Sequence, residues 1–264
     1  MNGTALITGA SSGIGTCMAR ILAEEGWDLV ISGRNVGAME RLQDEILSKS
    51  DIGITVIGAD LSKDGAAEKL FSDIQEKGIQ IDFLINCAGF GDLELFADCE
   101  LQKQIDMIHV NDVSLVTLTR LFITGMIERH SGRILNVSSI AAFQPGPLMS
   151  VYYASKAFVQ SFTEALAVEL KGTGVTASAL CPGPTDTGFM ATAGATDKNL
   201  FKKSACASAD KVAAYGLKKA MKGKVIILPG MLKLLPIAER FFPRFFVRKA
   251  VYIIQSKPAP KAKE

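Results

Sequence analysis

A lysine preceded within one helical turn by two tyrosines, in MSVYYASKAF at 149–158, is where side chains of this chain could first do chemistry together. A phenol with an ordinary pKa of about 10 exchanges protons poorly near neutrality and needs a cationic neighbour to become a useful acid or base. In a helix Tyr152 and Lys156 stand at i and i+4 on one face, while Tyr153 at i+3 also approaches the lysine. Spacing alone narrows the choice without making it.

A second candidate is an anion cradle. LITGASSGIG at 6–15 places Gly9, Gly13 and Gly15 between an apolar run and an amphipathic one. Glycines there let the backbone turn sharply, approach a pyrophosphate and expose amides at a helix N-terminus, where the dipole favours an anion. The spacing G-x-x-x-G-x-G differs from the G-x-G-x-x-G dinucleotide fingerprint. The next apolar run ends VISGRN at 30–35 and offers no carboxylate for the adenosine ribose. Arg34, with Ser32 and Asn35, offers instead a charge-assisted grip on a 2′-phosphate, so NADP(H) is expected in preference to NAD(H).

The elements that must position these groups are legible as short apolar runs alternating with longer amphipathic ones. TALIT, DLVIS, ITVIGA, IDFLIN, GRILNVS, GVTASALC and KVIIL read as strands; 13–26, 36–50, 63–78, 101–129, 151–171 and 208–222 read as helices. Strands apolar almost throughout, each followed by a helix, predict an α/β doubly wound parallel sheet of about seven strands, a Rossmann fold covered on both faces. One domain is expected over 1–230, including a substrate lid at about 182–207, which is too long for an ordinary connection and follows a strand's carboxyl end, where ligands bind. A helical flap over 231–254 and a disordered tail over 255–264 follow. The flap, MLKLLPIAERFFPRFFVRKAVYII, mixes aromatics with Lys233, Arg240, Arg244, Arg248 and Lys249, and is broken by Pro236 and Pro243. It packs on the domain or, alternatively, forms a basic surface element for peripheral contact with membrane headgroups or a partner.

Composition removes several classes. Of 264 residues, 29 are basic and 27 acidic, interspersed, which argues against a nucleic-acid surface. The five cysteines, at 17, 87, 99, 181 and 206, are scattered without CxxC spacing, so neither a disulfide framework nor a metal site is expected. No signal-type N-terminus and no unbroken apolar span is visible, and a cytoplasmic protein is expected. His109, His130, Asp82, Asp112 and Glu164 read as structural or surface groups.

Together the glycine loop, NCAG at 86–89, Asn111, NVSS at 136–139 and Tyr152-x-x-x-Lys156 resemble the short-chain dehydrogenase/reductase family, from about Gly3 to Gly188. The resemblance decides between the tyrosines, since the family's tyrosine lies four residues before the lysine and thirteen after the serine, as Tyr152 does from Lys156 and Ser139. It implies that Tyr152 exchanges the proton at a carbonyl or alcohol oxygen and that Ser139 bonds that oxygen. Lys156 would lower the tyrosine pKa and bond the nicotinamide ribose, and Asn111 would hold a water relaying protons to Lys156. Cofactor contacts are implied for Gly9, Ser11, Ser12, Gly13, Ile14, Gly15, Arg34, Asn35, Asp60, Leu61, Asn86, Ala88, Gly89, Tyr152, Lys156, Pro182, Gly183 and Thr187. Two departures are visible: Cys87 replaces a second asparagine, and neither Ser11 nor Ser12 is the basic residue of many NADP-using members.

The resemblance implies an NADP(H)-dependent oxidoreductase, forming a homodimer or homotetramer through the helices at 101–129 and 151–171. Phe90, Phe143, Leu148, Met149, Phe189 and Met190 fall in stretches expected to line the site, which points to a small hydrophobic carbonyl or alcohol substrate. The alternative function is a non-catalytic NADP-binding scaffold or redox sensor.

Overall fold

Residues 2–189, 193, 206–230 and 243–256 are described by the computed structural model. Seven strands form one parallel sheet: β1 (Thr4–Thr8), β2 (Asp28–Gly33), β3 (Ile54–Gly58), β4 (Phe83–Asn86), β5 (Gly132–Val137), β6 (Val175–Leu180) and β9 (Ile226–Ile227). Their order is β3-β2-β1-β4-β5-β6-β9, so the winding reverses between β1 and β4, where Thr8 pairs with Asn86. A crevice at the strands' carboxyl ends is the geometric consequence of that reversal.

The near-continuous apolar strands serve two cores. On one face Met18 and Leu22 of α1 (Gly13–Glu24), Met39 and Leu42 of α2 (Val36–Leu47) and Leu217 of α7 (Ala209–Ala220) pack against Ala5, Ile7 and Ile31. On the other, Leu70 and Ile74 of α3 (Ala66–Glu76) and Leu118, Phe122 and Met126 of α5 (Ser114–Glu128) pack against Leu6, Val30 and Leu84. Successive strand residues point to opposite faces, so a strand buried on both sides loses the polar alternation of an exposed one.

The helix expected over 101–129 is one run of three parts: α4 (Leu101–Ile108), a π turn (His109–Val113) and α5. It is long and apolar enough, by length and composition, to cross a bilayer, yet part of its surface is core, with Leu118 and Met126 fully buried. In the π turn the Ser114 amide bonds the His109 carbonyl five residues back, and Asn111 stands at its centre. The second large helix, α6 (Ser150–Glu169), begins one residue earlier than the sequence pattern suggests.

The ends of the expected lid are zipped together by two short parallel strands, β7 (Thr185–Asp186) and β8 (Ala207–Ser208). Residues 190–192, with Met190, and 194–205 of that segment lie outside the described residues, as do 231–242, including Lys233, Pro236 and Arg240, and the tail from 257 onward. A last helix, α8 (Arg244–Ser256), closes the described chain. Its residues Val251 and Gln255 are buried, while Phe245, Phe246, Tyr252 and Ile253 are exposed.

A buried polar chain ties the sheet to the helices beneath the crevice. Asn86 Nδ2 donates to Thr119 Oγ1 at 3.1 Å and to Asn136 Oδ1 at 2.9 Å, and Asn136 Nδ2 donates to Thr163 Oγ1 at 2.9 Å. Asn136 is completely buried, so its truncation removes both bonds and leaves a hole. Asn136→Ala should lose about 2 kcal/mol or more of stability, seen as a lower urea midpoint at unchanged slope; an unchanged midpoint would refute this role.

Candidate active site

The crevice is a cavity of about 880 Å³ that runs from the glycine loop, past the ends of β2, β4 and β5, to α6 and the Pro182–Phe189 segment. At the glycine loop, Gly9 adopts φ +70°, and a Cβ there would come within 2.8 Å of the Ala88 backbone. A Cβ on Gly15 would run into the Gly9 carbonyl. The loop thus closes on itself and on the β4 turn, which Thr8 Oγ1 fixes by accepting from the Cys87 and Ala88 amides at 3.1 Å each. Ser12 precedes α1 without capping it through its side chain, and no acid occupies the first turn. The helix N-terminus therefore presents amides and a positive dipole end beside the cavity, which suits a phosphate.

At the end of β2, Arg34 lines the cavity with Asn35, Asp60 and Leu61. Burial opposes the charge on Asp60, but bonds from the Ser62 hydroxyl and amide, with the Arg34 and Lys63 charges, hold its carboxyl below the usual range. Asn35 also caps α2, its Oδ1 accepting from the Ala38 amide at 3.0 Å. Ser32 is turned into the core and is not part of the wall.

The chemical groups meet where β5 ends. Lys156, only 5% exposed, donates from Nζ to the Val137 carbonyl at 3.0 Å, and its own carbonyl accepts from Ser138 Oγ at 2.8 Å. Its ammonium lies 5.8 Å from the Tyr152 ring centroid. Ser139 Oγ accepts from the Ala141 amide at 3.1 Å, and its hydroxyl bonds the Tyr152 phenol beside it on the cavity wall. Gly89 leaves little room for a side chain, because a Cβ would stand 3.0 Å from Asn111 Oδ1 and 3.2 Å from Lys156 Nζ.

One expectation about this centre changes. Lys156 does not make Tyr152 acidic by itself: burial pushes the phenol up to about 12, a bond with Ser139 pulls the other way, and Tyr153 adds to the rise. Burial likewise lowers the Lys156 pKa, with Asp112 opposing it. The protein's own groups thus hold Tyr152 as a neutral phenol, the proton-donating form.

The Asn111 side chain acts as a brace. Its Nδ2 donates to the Phe90 carbonyl at 3.1 Å and to Ser155 Oγ at 3.0 Å, and its Oδ1 accepts from the Phe90 amide at 3.2 Å. Both amide hydrogens are used, so a water could meet this side chain only through the remaining Oδ1 lone pair.

Of the residues read from the sequence, Gly9, Ser11, Ser12, Gly13, Ile14, Arg34, Asn35, Asp60, Leu61, Ala88, Gly89, Ser139, Tyr152, Lys156, Pro182, Gly183 and Thr187 line the one cavity. Gly15, Asn86 and Asn111 do not; they support the wall from behind. Phe90, Met149 and Phe189 form apolar wall, the last with its ring centroid 5.1 Å from that of Tyr152. Leu148, at φ +68°, packs behind Met149. Phe143 sits instead against Ala179, Cys181 and Leu228.

Sequence reasoning missed Thr8, Ser138 and Ser155, ordinary residue types whose roles depend on pairing across the fold. It also set Asp112 aside as a cap or surface charge. Asp112 is half-buried in the π turn, with no partner for Oδ1 among the described residues.

A doubly wound sheet, a glycine-cradled helix N-terminus and a Ser-Tyr-Lys cluster in the same crevice define a dinucleotide-binding α/β protein, and a cofactor of that kind fits the uncapped amides and the tight glycine contacts. The family model for short chain dehydrogenases matches residues 3–198, and the chain belongs to that family. It is 35% identical over 184 residues to a short chain dehydrogenase of Pseudocercospora fijiensis, covering 68% of this chain and 59% of that protein. It is 36% identical over 184 residues to a very-long-chain 3-oxoacyl-CoA reductase of Anas platyrhynchos, covering 67% and 58%. The chain thus spans a little under three fifths of these relatives' length. Among solved structures it resembles a bulky-bulky ketone specific alcohol dehydrogenase from Comamonas testosteroni, with TM-score 0.78, 26% identity and coverage of 100% and 98%. A short-chain dehydrogenase from Sphingobium yanoikuyae in complex with NADPH shares the fold, with TM-score 0.81, 24% identity and 99% coverage of both chains.

Burial raises the Asp112 carboxyl from 3.8 to about 7, and the Lys156 charge only partly offsets this. A carboxyl whose pKa rises on folding takes up a proton, so its favourable contribution is complete below about 4 and is lost as pH climbs through about 7. Asp112→Asn cannot ionise, and its thermal midpoint should gain on the parent protein's between pH 4 and 8; parallel curves would contradict the assignment.

Proposed function

We propose that the chain is an NADP(H)-dependent oxidoreductase that interconverts a carbonyl and a secondary alcohol on a small hydrophobic substrate. The observation that carries this reading is the meeting of Ser139, Tyr152 and Lys156 on the wall of the cavity that also contains the glycine cradle. A dinucleotide held by the α1 amides, Thr187 and Lys156 would supply hydride to the carbonyl carbon. Tyr152, kept neutral by burial, gives its proton to the oxygen as negative charge grows there, and Ser139, bonded to the phenol, turns its hydrogen to the same atom. Lys156, with its ammonium close to the ring, stabilises the phenolate left behind and offers a proton for its recovery.

The NADP preference rests on Arg34, a cation on the cavity wall at the end of a strand that offers no carboxylate to ribose hydroxyls. A hydrophobic carbonyl is supported by the Phe90, Met149 and Phe189 wall, and by relatives named for long-chain 3-oxoacyl and bulky ketone substrates. A homo-oligomer is part of the proposal, supported by the exposed apolar residues Leu101, Ile105 and Val113 on the long helix and Phe158 and Val168 on α6.

Peripheral membrane contact through α8 is also proposed. Exposed Phe245, Phe246, Tyr252 and Ile253 flank Lys249, with Arg244 and Arg248 nearby and no acid in the helix, a pattern suited to anionic headgroups.

Two measurements check these readings. In steady-state reduction of a ketone panel, Tyr152→Phe should lower kcat about 10²- to 10⁴-fold. In the same assay Arg34→Ala should raise KM for NADPH about tenfold, and much more than for NADH; turnover that survives the tyrosine change would defeat the acid–base role. In sedimentation with phosphatidylserine vesicles, Phe245→Ser/Phe246→Ser should release protein that otherwise pellets; equal pelleting would exclude α8 as the contact.

A further inference from the structure

We propose that Gln255, brought to the cavity by the C-terminal helix, forms a polar substrate subsite with Tyr153 and selects hydrophobic carbonyl compounds that carry a second group able to donate a hydrogen bond. The inference rests on the reading of this cavity as a reductase site and names the substrate more narrowly.

Tyr153, the tyrosine that the catalytic spacing leaves unused, lines the same cavity as Tyr152, its ring centroid 6.1 Å away and nearly perpendicular at 77°. Adjacent positions on a helix point about 100° apart, so the two phenols look onto neighbouring parts of the pocket. The Tyr153 hydroxyl accepts from Gln255 Nε2 at 2.6 Å, across 102 residues of sequence. Gln144 also hydrogen-bonds this hydroxyl, so its position is fixed from two sides.

Gln255 lines the cavity, is only 4% exposed, and its Oε1 has no hydrogen-bond partner among the described residues. A buried amide oxygen with no partner is a standing cost unless something donates to it. Its other end is tethered to Tyr153, and α8 is anchored one turn earlier by buried Val251, so the amide cannot easily swing to solvent. Elsewhere this part of the pocket is apolar: Met149 and Phe189 pack with Tyr152 and Tyr153. An unpaired acceptor in a largely apolar wall fixes orientation and discriminates strongly, because a ligand lacking the donor leaves the amide unpaired. Gln255 also lies beyond residues 3–198, the part matched by the family model, so this half of the subsite comes from outside the matched region.

The test compares four ketones whose variable group is insulated from the carbonyl: 4-phenylbutan-2-one, its ring 4-hydroxy and 3-hydroxy derivatives and the 4-methoxy ether. The proposal expects at least one hydroxy compound to exceed the unsubstituted ketone about tenfold in kcat/KM, with the ether, which cannot donate, showing no gain. Gln255→Leu should bring that ratio to about one, while Gln255→Glu, which keeps an acceptor, should retain most of it. The same ratios are read as Kd from quenching of NADPH fluorescence in the cofactor-saturated protein. Discrimination in binding without turnover overturns the reductase reading and keeps the subsite. A ratio near one in the parent protein by both readouts, or an equal ratio in Gln255→Leu, overturns the subsite.

Discussion

A lysine ammonium taken almost wholly out of water is the constraint around which the rest of this site is arranged. Such a charge is costly unless it is hydrogen-bonded, and folding would expel it if nothing depended on it. Lys156 is held by the Val137 carbonyl at the end of β5, balanced by Asp112 in the π turn, and given room by Gly89 of the β4 loop, where a Cβ would stand 3.2 Å from Nζ. Those partners come from three separate elements. Meeting this one requirement therefore positions the end of β5, the start of α6, the widened turn of the long helix and the loop beneath the cavity.

The π turn shows how much of the frame serves that centre. It carries Asn111, which clamps the Phe90 backbone and Ser155, and Asp112, whose charge acts on Lys156. Turns of this kind cluster at functional sites because an extra residue re-aims side chains without ending the helix. The cavity consequently has two unlike ends. The glycine end is rigid and local, built within the first strand, turn and helix; the substrate end gathers the 90–93 loop, the start of α6, the segment after β6 and a helix near the C-terminus.

This division explains what could be read in advance. The glycine loop, Arg34 and the Ser139–Tyr152–Lys156 spacing announce themselves because the chemistry is carried by residue type at short range, and the parallel sheet follows from strands apolar on both faces. Tyr152 could be chosen over Tyr153 only through the family's serine spacing, since helical geometry admits both. The π turn left no periodic signal, because one inserted residue inside a long apolar helix changes the phase only slightly. Asp112 differs little from a surface residue until the turn points it inward, and Asn111 could be named only through the family resemblance. The Tyr152 pKa depends on burial, which spacing does not encode, and Lys156 looked like its controller when desolvation is the larger influence. Gln255 lies in a stretch whose composition suggested a tail, and only the fold brings it to Tyr153.

The central claim is that the buried ammonium and the neutral phenol face one bound dinucleotide. A crystal structure of the protein with NADPH tests it most directly. The account predicts Lys156 Nζ within hydrogen-bonding distance of the nicotinamide ribose, the Tyr152 hydroxyl directed at the space above the ring, and the 2′-phosphate on Arg34. A dinucleotide bound with its ribose out of reach of Lys156, or its nicotinamide turned away from Tyr152, would contradict it.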